Sequence, residues 1–525
     1  MQIRTGRWQR LLTGMGMRPP FYLPLLTLTL YFFWRGYDYA ISDQDEILPY
    51  LMHLLDPSLY RSDWFVNVQT ETFGPRTLFV WIAWLPAKLF GPYATILGIY
   101  VASWFGTSMA LYALGLQLTR ERLAATICVI LALLLPPKFT LGGNDLVTWI
   151  LTPSIPAWTF SLWGLLHFVR GQTGRAALLM GIATWIQALV GLQTGLICTL
   201  MLLWKHGWSV RRPSMFAGWF TLSALPALGP LIWFQFSRPH PDGLWSYFYI
   251  LFEFRAPHHY MPSSFPLESV VGFTVLLVLG LAVFSQLPKV HHMLVRRSLI
   301  VIGVLCIFSF LCTEILRIDP ITRLQLFKLT VLVKVFCVIL IANALSRMIL
   351  KFCRRTLTAF FDHGHYAFGG TLLIAATLLL ISPDALGIRP TSVSGSAEQV
   401  AVWARDSTEV DAVFAVPPQW AHFRSQGQRA VVVSFKAVPF HQPYMTQWFT
   451  RLLDMAPISP PQRGGAPIMS VLDSAYFALP VQEIQRLAEK YNFEYIVRKE
   501  AKAPEGFESA YQVGSWNVWR IKPRP

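Results

Sequence analysis

Apolar segments long enough to cross a bilayer recur along most of this chain. Runs of roughly 20 apolar residues, the length of helix that spans a ~30 Å hydrocarbon layer, begin near Phe21 and stop near Ile381. The residues after Ser382 return to an ordinary mixture of polar and apolar types. The pattern predicts an all-α polytopic membrane domain over residues 1–383 and a second domain over residues 384–525.

The basic residues between the apolar segments predict how the chain threads the membrane. Starting with the basic N-terminus inside, the segment "TLFVWIAWLPAKLFG" is best placed along the outer interface, because a crossing there would put Arg120 and Arg122 outside. With that choice five loops carry their basic clusters inside. The predicted crossings are 20–36, 93–118, 123–137, 146–169, 176–191, 193–205, 214–234, 267–287, 298–316, 321–346 and 366–383. The short pair 176–205 is also open to interpretation as a re-entrant hairpin. Eleven crossings place the N-terminus in the cytoplasm and residues 384–525 on the outer, periplasmic side.

Composition supports a membrane protein and argues against a nucleic-acid partner. Hydrophobic residues make up 54% of the chain, charged residues only 14%, and the mean hydropathy is +0.44. The formal charge of +16 is concentrated in the short basic clusters between apolar segments, so it indicates how the chain is oriented in the membrane. The six cysteines lie in or beside apolar segments without disulfide or metal spacing, and we expect them to be small buried apolar side chains.

The last part of the chain alternates strand and helix patterns. "DAVFAVP", "AVVVSF" and "FEYIVRK" read as strands, and 398–404 and "PVQEIQRLAEKY" read as helices, with a helical turn after Pro418. Two short aromatic strands, "AYQV" and "WNVWRI", follow. This alternation predicts a small α/β domain without a glycine-rich phosphate loop or a metalloprotease motif.

Six carboxylates lie between Tyr37 and Phe65, directly after the first crossing. The apolar spacing in "DQDEILPYLMHLLDP" predicts a short amphipathic helix at the outer interface, with Asp43, Asp45 and Glu46 in its first turn. The helix dipole would keep carboxylates there ionised and able to accept a proton. The alternative is an ordinary solvated loop.

This first loop resembles that of the GT-C glycosyltransferases, in the branch typified by the protein O-mannosyltransferases and the lipid A aminoarabinose transferases. The matching features are an acidic pair, an aspartate–tryptophan step, a Gly/Pro turn with a basic residue, and an aspartate in the second outer loop. They are Asp45-Glu46, Asp63-Trp64, Gly74-Pro75-Arg76 and Asp145. The departures are Arg76 in place of lysine, a single proline in the turn, and Asn144-Asp145-Leu146 in place of Asp-Ala-Pro.

The resemblance implies an enzyme of the bacterial inner membrane that moves a sugar from a polyprenyl-phosphate carrier to a lipid, glycan or protein acceptor on the outer face. An inverting displacement needs one base, for which Asp45 is the first choice and Glu46 or Asp43 the alternative. Arg76 suits the phosphate. Asp145 is expected to hold the acceptor or, together with Asp45, a divalent cation, and the simpler interpretation is a polar loop end. No other cofactor is expected.

Further basic residues lie where a phosphate or pyrophosphate group would bind. Arg255, His258 and His259 follow the seventh crossing, and the alternatives there are an ordinary interfacial loop or, less well supported, a metal site. Arg323 and Lys328 lie at the outer face, where the alternative is snorkelling to headgroups.

In the C-terminal domain, Arg424, Arg429 and Lys436 are more simply explained by a solvated face than by an acceptor or lipid contact. A rival function is a non-catalytic scaffold or a transporter of envelope polysaccharide. A transporter is expected to show mid-membrane ionisable residues and internal symmetry. The sequence pattern indicates neither.

Overall fold

The computed structural model describes residues 22–207, 209–236, 245–362, 388–389, 395–420, 422–500 and 502–522. Most of this described chain is helical. The α-helices of the N-terminal part are α1 (Tyr22–Arg35), α2 (Leu48–Leu55), α3 (Trp64–Glu71), α4 (Thr77–Phe90), α5 (Pro92–Thr119), α6 (Arg122–Leu134), α7 (Ser154–Val169), α8 (Thr173–Ile186), α9 (Ala188–His206), α10 (Arg211–Phe236), α11 (Pro257–Tyr260), α12 (Leu267–Ala282), α13 (Lys289–Phe310), α14 (Asp319–Thr322) and α15 (Thr330–Asp362). Short 3₁₀ turns (Ser42–Glu46, Pro137–Phe139, Pro262–Ser264, Phe284–Gln286, Leu326–Leu329) and two π-helices (Tyr249–Arg255, Leu311–Ile315) connect them.

A helix lies at every predicted crossing up to 321–346, and the last predicted crossing, 366–383, falls outside the described residues. By length and hydropathy, five helices of the described chain are suited to cross a membrane. They are Pro92–Thr119, Ala188–His206, Arg211–Gln235, Lys289–Ile315 and Asp319–Phe352. The protein is therefore a helical chain with membrane-type spans, and the finer count of eleven crossings stays a prediction.

The helices pack closely where small residues face one another. A Cβ added to Gly106 of α5 would lie 2.5 Å from the Thr159 side chain of α7, so only glycine permits this approach. Polar groups at the contact are paired, since Trp163 donates to the Gly106 carbonyl at 3.1 Å and the hydroxyls of Thr107 and Thr159 lie 2.8 Å apart. On the outer surface of α10 to α13, large apolar side chains such as Trp233 and Ile307 are exposed, as suits lipid contact.

The loop after α1, which we call the first loop (residues 36–91), differs from the prediction at its acidic end. The carboxylates lie on a separate 3₁₀ turn, Ser42–Glu46, and α2 begins only at Leu48. Pro49 explains the break, because its ring has no N–H for the Asp45 carbonyl and would clash with it, so proline fits only in the first turn of a new helix. The predicted placement of the carboxylates in the first turn of the amphipathic helix is therefore wrong.

The C-terminal domain contains a five-stranded mixed sheet with the order β4-β3-β5-β7-β6. Its strands are β3 (Val413–Ala415), β4 (Ala430–Val431), β5 (Tyr495–Arg498), β6 (Phe507–Val513) and β7 (Trp516–Ile521), and its helices are α16 (Ser396–Ser407), α17 (Phe423–Gly427), α18 (Gln442–Met455), α19 (Ala466–Phe477) and α20 (Val481–Tyr491). β3 pairs parallel with β4 and β5, and β7 pairs antiparallel with β5 and β6. The predicted mixture of strands and helices is confirmed, although α18 and α19 were not foreseen. A further parallel pair joins β1 (Tyr37–Asp38) to β2 (Ile388–Arg389).

Candidate functional site

The 3₁₀ turn Ser42–Glu46 divides its carboxylates between two faces. A 3₁₀ helix has three residues per turn, so Asp43 and Glu46 lie one above the other while Asp45 points elsewhere. Their partners follow this division, since Asp43 and Glu46 meet Lys436 and Arg76 whereas Asp45 meets Arg424. The turn thus takes part in two distinct ionic clusters.

On the first face, each carboxylate has its own cation. Lys436 Nζ lies 2.7 Å from Asp43 Oδ1, and both Nε and Nη2 of Arg76 reach Glu46 Oε2, at 3.0 and 2.9 Å. Burial raises the pKa of Asp43, but Lys436 and Arg76 outweigh it and hold that pKa well below its usual range. Burial also raises the pKa of Glu46, and here Arg76 only partly offsets it. Glu46 is therefore the stronger base of the two.

Glu46 is also the carboxylate that borders a cavity between the first loop and the C-terminal domain. Gln69, Arg76 and His441 add polar groups to its wall, and Phe65 is one of its apolar side chains. Both contacts from Arg76 fall on Oε2, so Glu46 Oε1 accepts no hydrogen bond within the described chain. The Gln69 amide donates to the Glu46 carbonyl at 2.8 Å, and its own Oε1 is buried without a partner among the described groups.

Two basic side chains beside this face have no acidic partner within the described residues. Arg255 is 7% exposed and Lys328 is 6% exposed, yet neither makes an ion pair there. Arg255 Nη2 donates to the Lys436 carbonyl at 2.9 Å, its guanidinium stacks on Phe435, and its Nε has no hydrogen-bond partner. Lys328 interacts electrostatically with Arg76 and Asp43. Four basic side chains thus surround two carboxylates, an excess of two.

The two histidines lie next to this cluster in the neutral form. Burial, reinforced by the positive charge of Arg255, lowers the pKa of His258 to about 4, and burial together with His258 lowers that of His259 to about 3. His259 Nδ1 lies 2.7 Å from the Gly142 carbonyl, while His258 Nδ1 is buried without a partner. At neutral pH neither ring carries a positive charge, and the one N–H of His259 is engaged by the Gly142 carbonyl, so of the two only His258 has an N–H to offer a ligand. The predicted contact of His258 and His259 with a phosphate stays a prediction.

Asp45, on the second face, is fully buried and its oxygens are occupied. Arg424 Nη1 and Ser434 Oγ reach Oδ2 at 2.8 and 3.3 Å, and Ser425 Oγ reaches Oδ1 at 3.1 Å. Arg424 also donates through Nε to Asp63 Oδ2 at 2.8 Å, so one guanidinium serves two carboxylates. Burial and the charge of Asp63 raise the pKa of Asp45 to about 6 despite Arg424. With no exposed oxygen, Asp45 is poorly placed to take a proton from a substrate.

Asp145 belongs to a different site. Both of its oxygens lie within 2.9 Å of Lys334 Nζ, on α15, and both side chains are almost fully buried. Burial raises the pKa of Asp145, and Lys334 opposes that shift. Asp145 thus pairs with Lys334, whereas Asp45 shares Arg424 with Asp63. The predicted shared metal site has no support from this arrangement, and no group of three potential metal ligands occurs within the described residues.

Arg323 likewise has a partner of its own. It forms a two-pronged ion pair with Asp319, at 2.7 and 2.6 Å, and its guanidinium lies 3.7 Å from the ring centre of Tyr247. Its donors are therefore largely engaged, which disfavours the predicted phosphate contact by Arg323. Lys328, predicted on the same grounds, lies in the cluster with Arg76 and Arg255.

Three important side chains were missed or undervalued in the sequence. Lys436 and Arg424 were expected on a solvated face, but Arg424 is 2% exposed and Lys436 half-buried. Lys334 was overlooked inside an apolar run, although a lone lysine in such a run is itself a signal of a buried partner. The expectation that no ionisable residue lies within a span is therefore wrong.

The comparison with known families concerns the C-terminal domain, which supplies Arg424 and Lys436. Residues 396–455 match the family model described as Domain of unknown function (DUF6798). This DUF6798 segment includes Arg424, Ser425, Ser434 and Lys436, which reach both faces of the 3₁₀ turn. No curated protein matches the chain significantly. The matched segment is thus the part of the C-terminal domain that completes the site.

Proposed function

We propose that this protein is an integral membrane glycosyltransferase that moves a sugar from a polyprenyl-phosphate carrier to an acceptor hydroxyl on a lipid, glycan or protein. The observation that carries the proposal is the pair of buried basic side chains, Arg255 and Lys328, which lie near Asp43 but form no ion pair within the described residues. A buried charge without a partner is costly, and a phosphate group is an anion that would remove this cost. The excess of two positive charges matches the polyprenyl monophosphate that leaves, which carries about two negative charges, whereas the phosphodiester of the donor carries one.

In the proposed reaction, the acceptor hydroxyl loses its proton to Glu46 Oε1 as its oxygen attacks the anomeric carbon of the sugar. The bond between that carbon and the phosphate oxygen breaks, and the electron pair leaves with the phosphate. Arg255, Lys328 and Lys436 stabilise the charge that develops there. Arg76 holds Glu46 Oε2 and fixes the orientation of the carboxylate. One base and one leaving group give inversion at the anomeric carbon.

The proposal also includes the finer architecture. We propose a GT-C-like arrangement with eleven crossings in a bacterial inner membrane and the C-terminal domain on the periplasmic side. The long apolar spans support a membrane location for the chain. The similarity of Asp45-Glu46, Asp63-Trp64 and Gly74-Pro75-Arg76 to the first loop of that family supports the class of enzyme.

Transfer from labelled polyprenyl-phosphate sugars to cell-envelope extract tests this function. The purified full-length protein in lipid nanodiscs should release the polyprenyl phosphate, and Arg255→Met should reduce release roughly 10²-fold, as expected for loss of one charge-stabilising group. Arg486→Met is the matched control, because Arg486 lies in an exposed ion pair with Glu483. Absence of release with every donor, at normal folding, would favour the non-catalytic scaffold or transporter.

A further inference from the structure

The 3₁₀ turn that carries Glu46 has an unfavourable backbone at its start. Ala40 and Ser42 adopt positive φ angles of 60° and 53°, a region that residues with a Cβ adopt at a cost of about 1 kcal/mol or more each. Such a conformation persists only when surrounding contacts impose it. The contacts that hold this turn therefore decide where Glu46 and Asp43 point.

Three of those contacts come from the C-terminal domain and converge on Asp45, whereas Gln44 supports the start of the turn by accepting from the Ala40 N–H and donating to the Leu151 carbonyl. Arg424 and Ser434 bind one carboxylate oxygen of Asp45 and Ser425 binds the other. Arg424 is itself fixed, because its Nε donates to Asp63 and its guanidinium lies over the Phe65 ring. The turn is thus attached on its Asp45 face to residues far away in the sequence.

Asp63 makes this attachment rigid. Its Oδ1 accepts from the Val66 N–H and so caps α3, while its Oδ2 accepts from Arg424 and from the Val431 N–H of β4. The Tyr60 hydroxyl adds a bond to the Arg424 carbonyl at 2.9 Å. Arg424 and Asp63 together therefore connect the 3₁₀ turn, the start of α3 and the edge strand β4 of the C-terminal sheet.

We propose that Arg424 is a positioning residue: by holding Asp45 on one face of the turn, it directs Glu46 and Asp43 on the other face towards Arg76 and Lys436. The inference rests on the proposed function, because only that function makes Glu46 a base whose direction matters. It predicts a division of labour in which the membrane domain supplies the carboxylates and Arg76, and the DUF6798 segment sets their direction. Asp45 then acts through position and not through proton transfer.

Arg424→Lys tests the inference without leaving a buried carboxylate pair unneutralised. Lysine keeps the charge but is a single ammonium, without the fixed fork that reaches Asp45 and Asp63 through separate nitrogens. The full-length variant should fold, yet its kcat per folded molecule should fall about tenfold or more, and its KM for the donor should rise because the cations that bind the phosphate are less well oriented. Arg405→Lys is the matched control, because Arg405 of the same domain is in a largely exposed pair with Asp406.

A second measurement separates this inference from the proposed function. Binding of a sugar-free polyprenyl monophosphate, read as the increase in Tm that it causes, needs the oriented cations but no transfer. If the wild type transfers no sugar but gains Tm with the monophosphate, and Arg424→Lys gains less, the proposed function fails and the positioning role stands. If Arg424→Lys equals the wild type in kcat per folded molecule and in the monophosphate shift, the positioning role is overturned. A wild type that neither transfers nor binds would overturn both.

Discussion

Lys436 Nζ lies 2.7 Å from Asp43 Oδ1, so a side chain of the C-terminal domain completes a site whose carboxylates belong to the first loop. The backbone carbonyl of Lys436 accepts a hydrogen bond from Arg255 Nη2, which brings a third segment of the chain to the cluster. The site therefore exists only when the C-terminal domain is docked on the first loop. The side chains that form it come from well-separated parts of the sequence.

The first prediction concerns Lys436 itself. In Lys436→Met, Asp43 loses its principal cation and the cluster loses one of the charges proposed to stabilise the leaving phosphate. We expect sugar transfer to fall roughly 10²-fold, with a smaller fall in thermal stability because the pair is partly exposed. Labelled donor assays measure the rate. Lys490→Met, which breaks the ion pair with Asp454, is the control and should keep the wild-type rate.

The second prediction separates neighbouring carboxylates of one turn. Glu46→Gln removes the proposed base and should lower kcat by about 10²- to 10⁴-fold, whereas Asp45→Asn should keep most of the rate because an amide oxygen can still accept from Arg424. Rates per folded protein are measured from the same membrane preparation. The reverse order, with Asp45→Asn inactive and Glu46→Gln active at normal folding, would return the base to Asp45.

The location of the site could be predicted from sequence, but the roles of its residues could not. Asp43, Glu46, Arg76 and the basic residues after the seventh crossing all lie in or beside the cluster. The choice between Asp45 and Glu46, however, depends on a 3₁₀ turn that points them to different faces. This turn is separated from α2 by the break before Pro49, whereas the residues that follow show a strong helical pattern. Amphipathic spacing alone predicts one continuous helix.

The residues that pair with the first-loop carboxylates could not be predicted from the local sequence pattern. Arg424 and Lys436 lie in a segment whose charge pattern is typical of a solvated face, and only the docking of the two domains buries them. The helices of the C-terminal domain show the same limit, because α18 begins at Gln442 directly after the stretch "FKAVPFH", which has no clear helical or strand period. Strands with dense Val and Phe content, such as β3, were recognisable because burial on both faces leaves a continuous apolar run.

The third prediction concerns the ion pair between Asp145 and Lys334. Lys334→Met leaves a buried carboxylate without a partner and should destabilise the protein by about 3–5 kcal/mol. The double variant Asp145→Leu/Lys334→Met removes both charges and should recover much of the lost stability. Thermal unfolding in detergent ranks the variants, and the exposed pair Lys138–Glu268 provides a control whose loss should matter little.

Divalent cations offer an independent check on the same residues. Because Lys334 occupies both oxygens of Asp145, we expect EDTA and added Mg²⁺ to leave Tm and the transfer rate unchanged. A loss of Tm with EDTA that Mg²⁺ restores, and that Asp145→Asn abolishes, would mean that Asp145 binds a metal ion after all.

The fourth prediction follows from the raised pKa of Asp45, about 6 against an ordinary value of 3.8. Between these values the folded protein binds more protons than the unfolded chain, so this group makes stability fall as pH rises from about 4 to about 6, by up to roughly 3 kcal/mol. Above pH 6 its contribution is constant. The cause is burial beside Asp63, with one arginine for two carboxylates. Asp45→Asn cannot titrate and should lose this dependence.

Unfolding of the wild type and Asp45→Asn, followed across pH 4 to 8, measures the difference. Groups outside the cluster that Asp45 forms with Arg424 and Asp63 titrate equally in both proteins, so the difference in Tm between them reports on this cluster. We expect the Tm of Asp45→Asn to increase relative to that of the wild type as pH rises from about 4 to about 6, because the folded wild type then gains an extra buried negative charge beside Asp63. A difference in Tm that stays constant across this range would mean that Asp45 is already ionised at pH 4, with Arg424 compensating it fully.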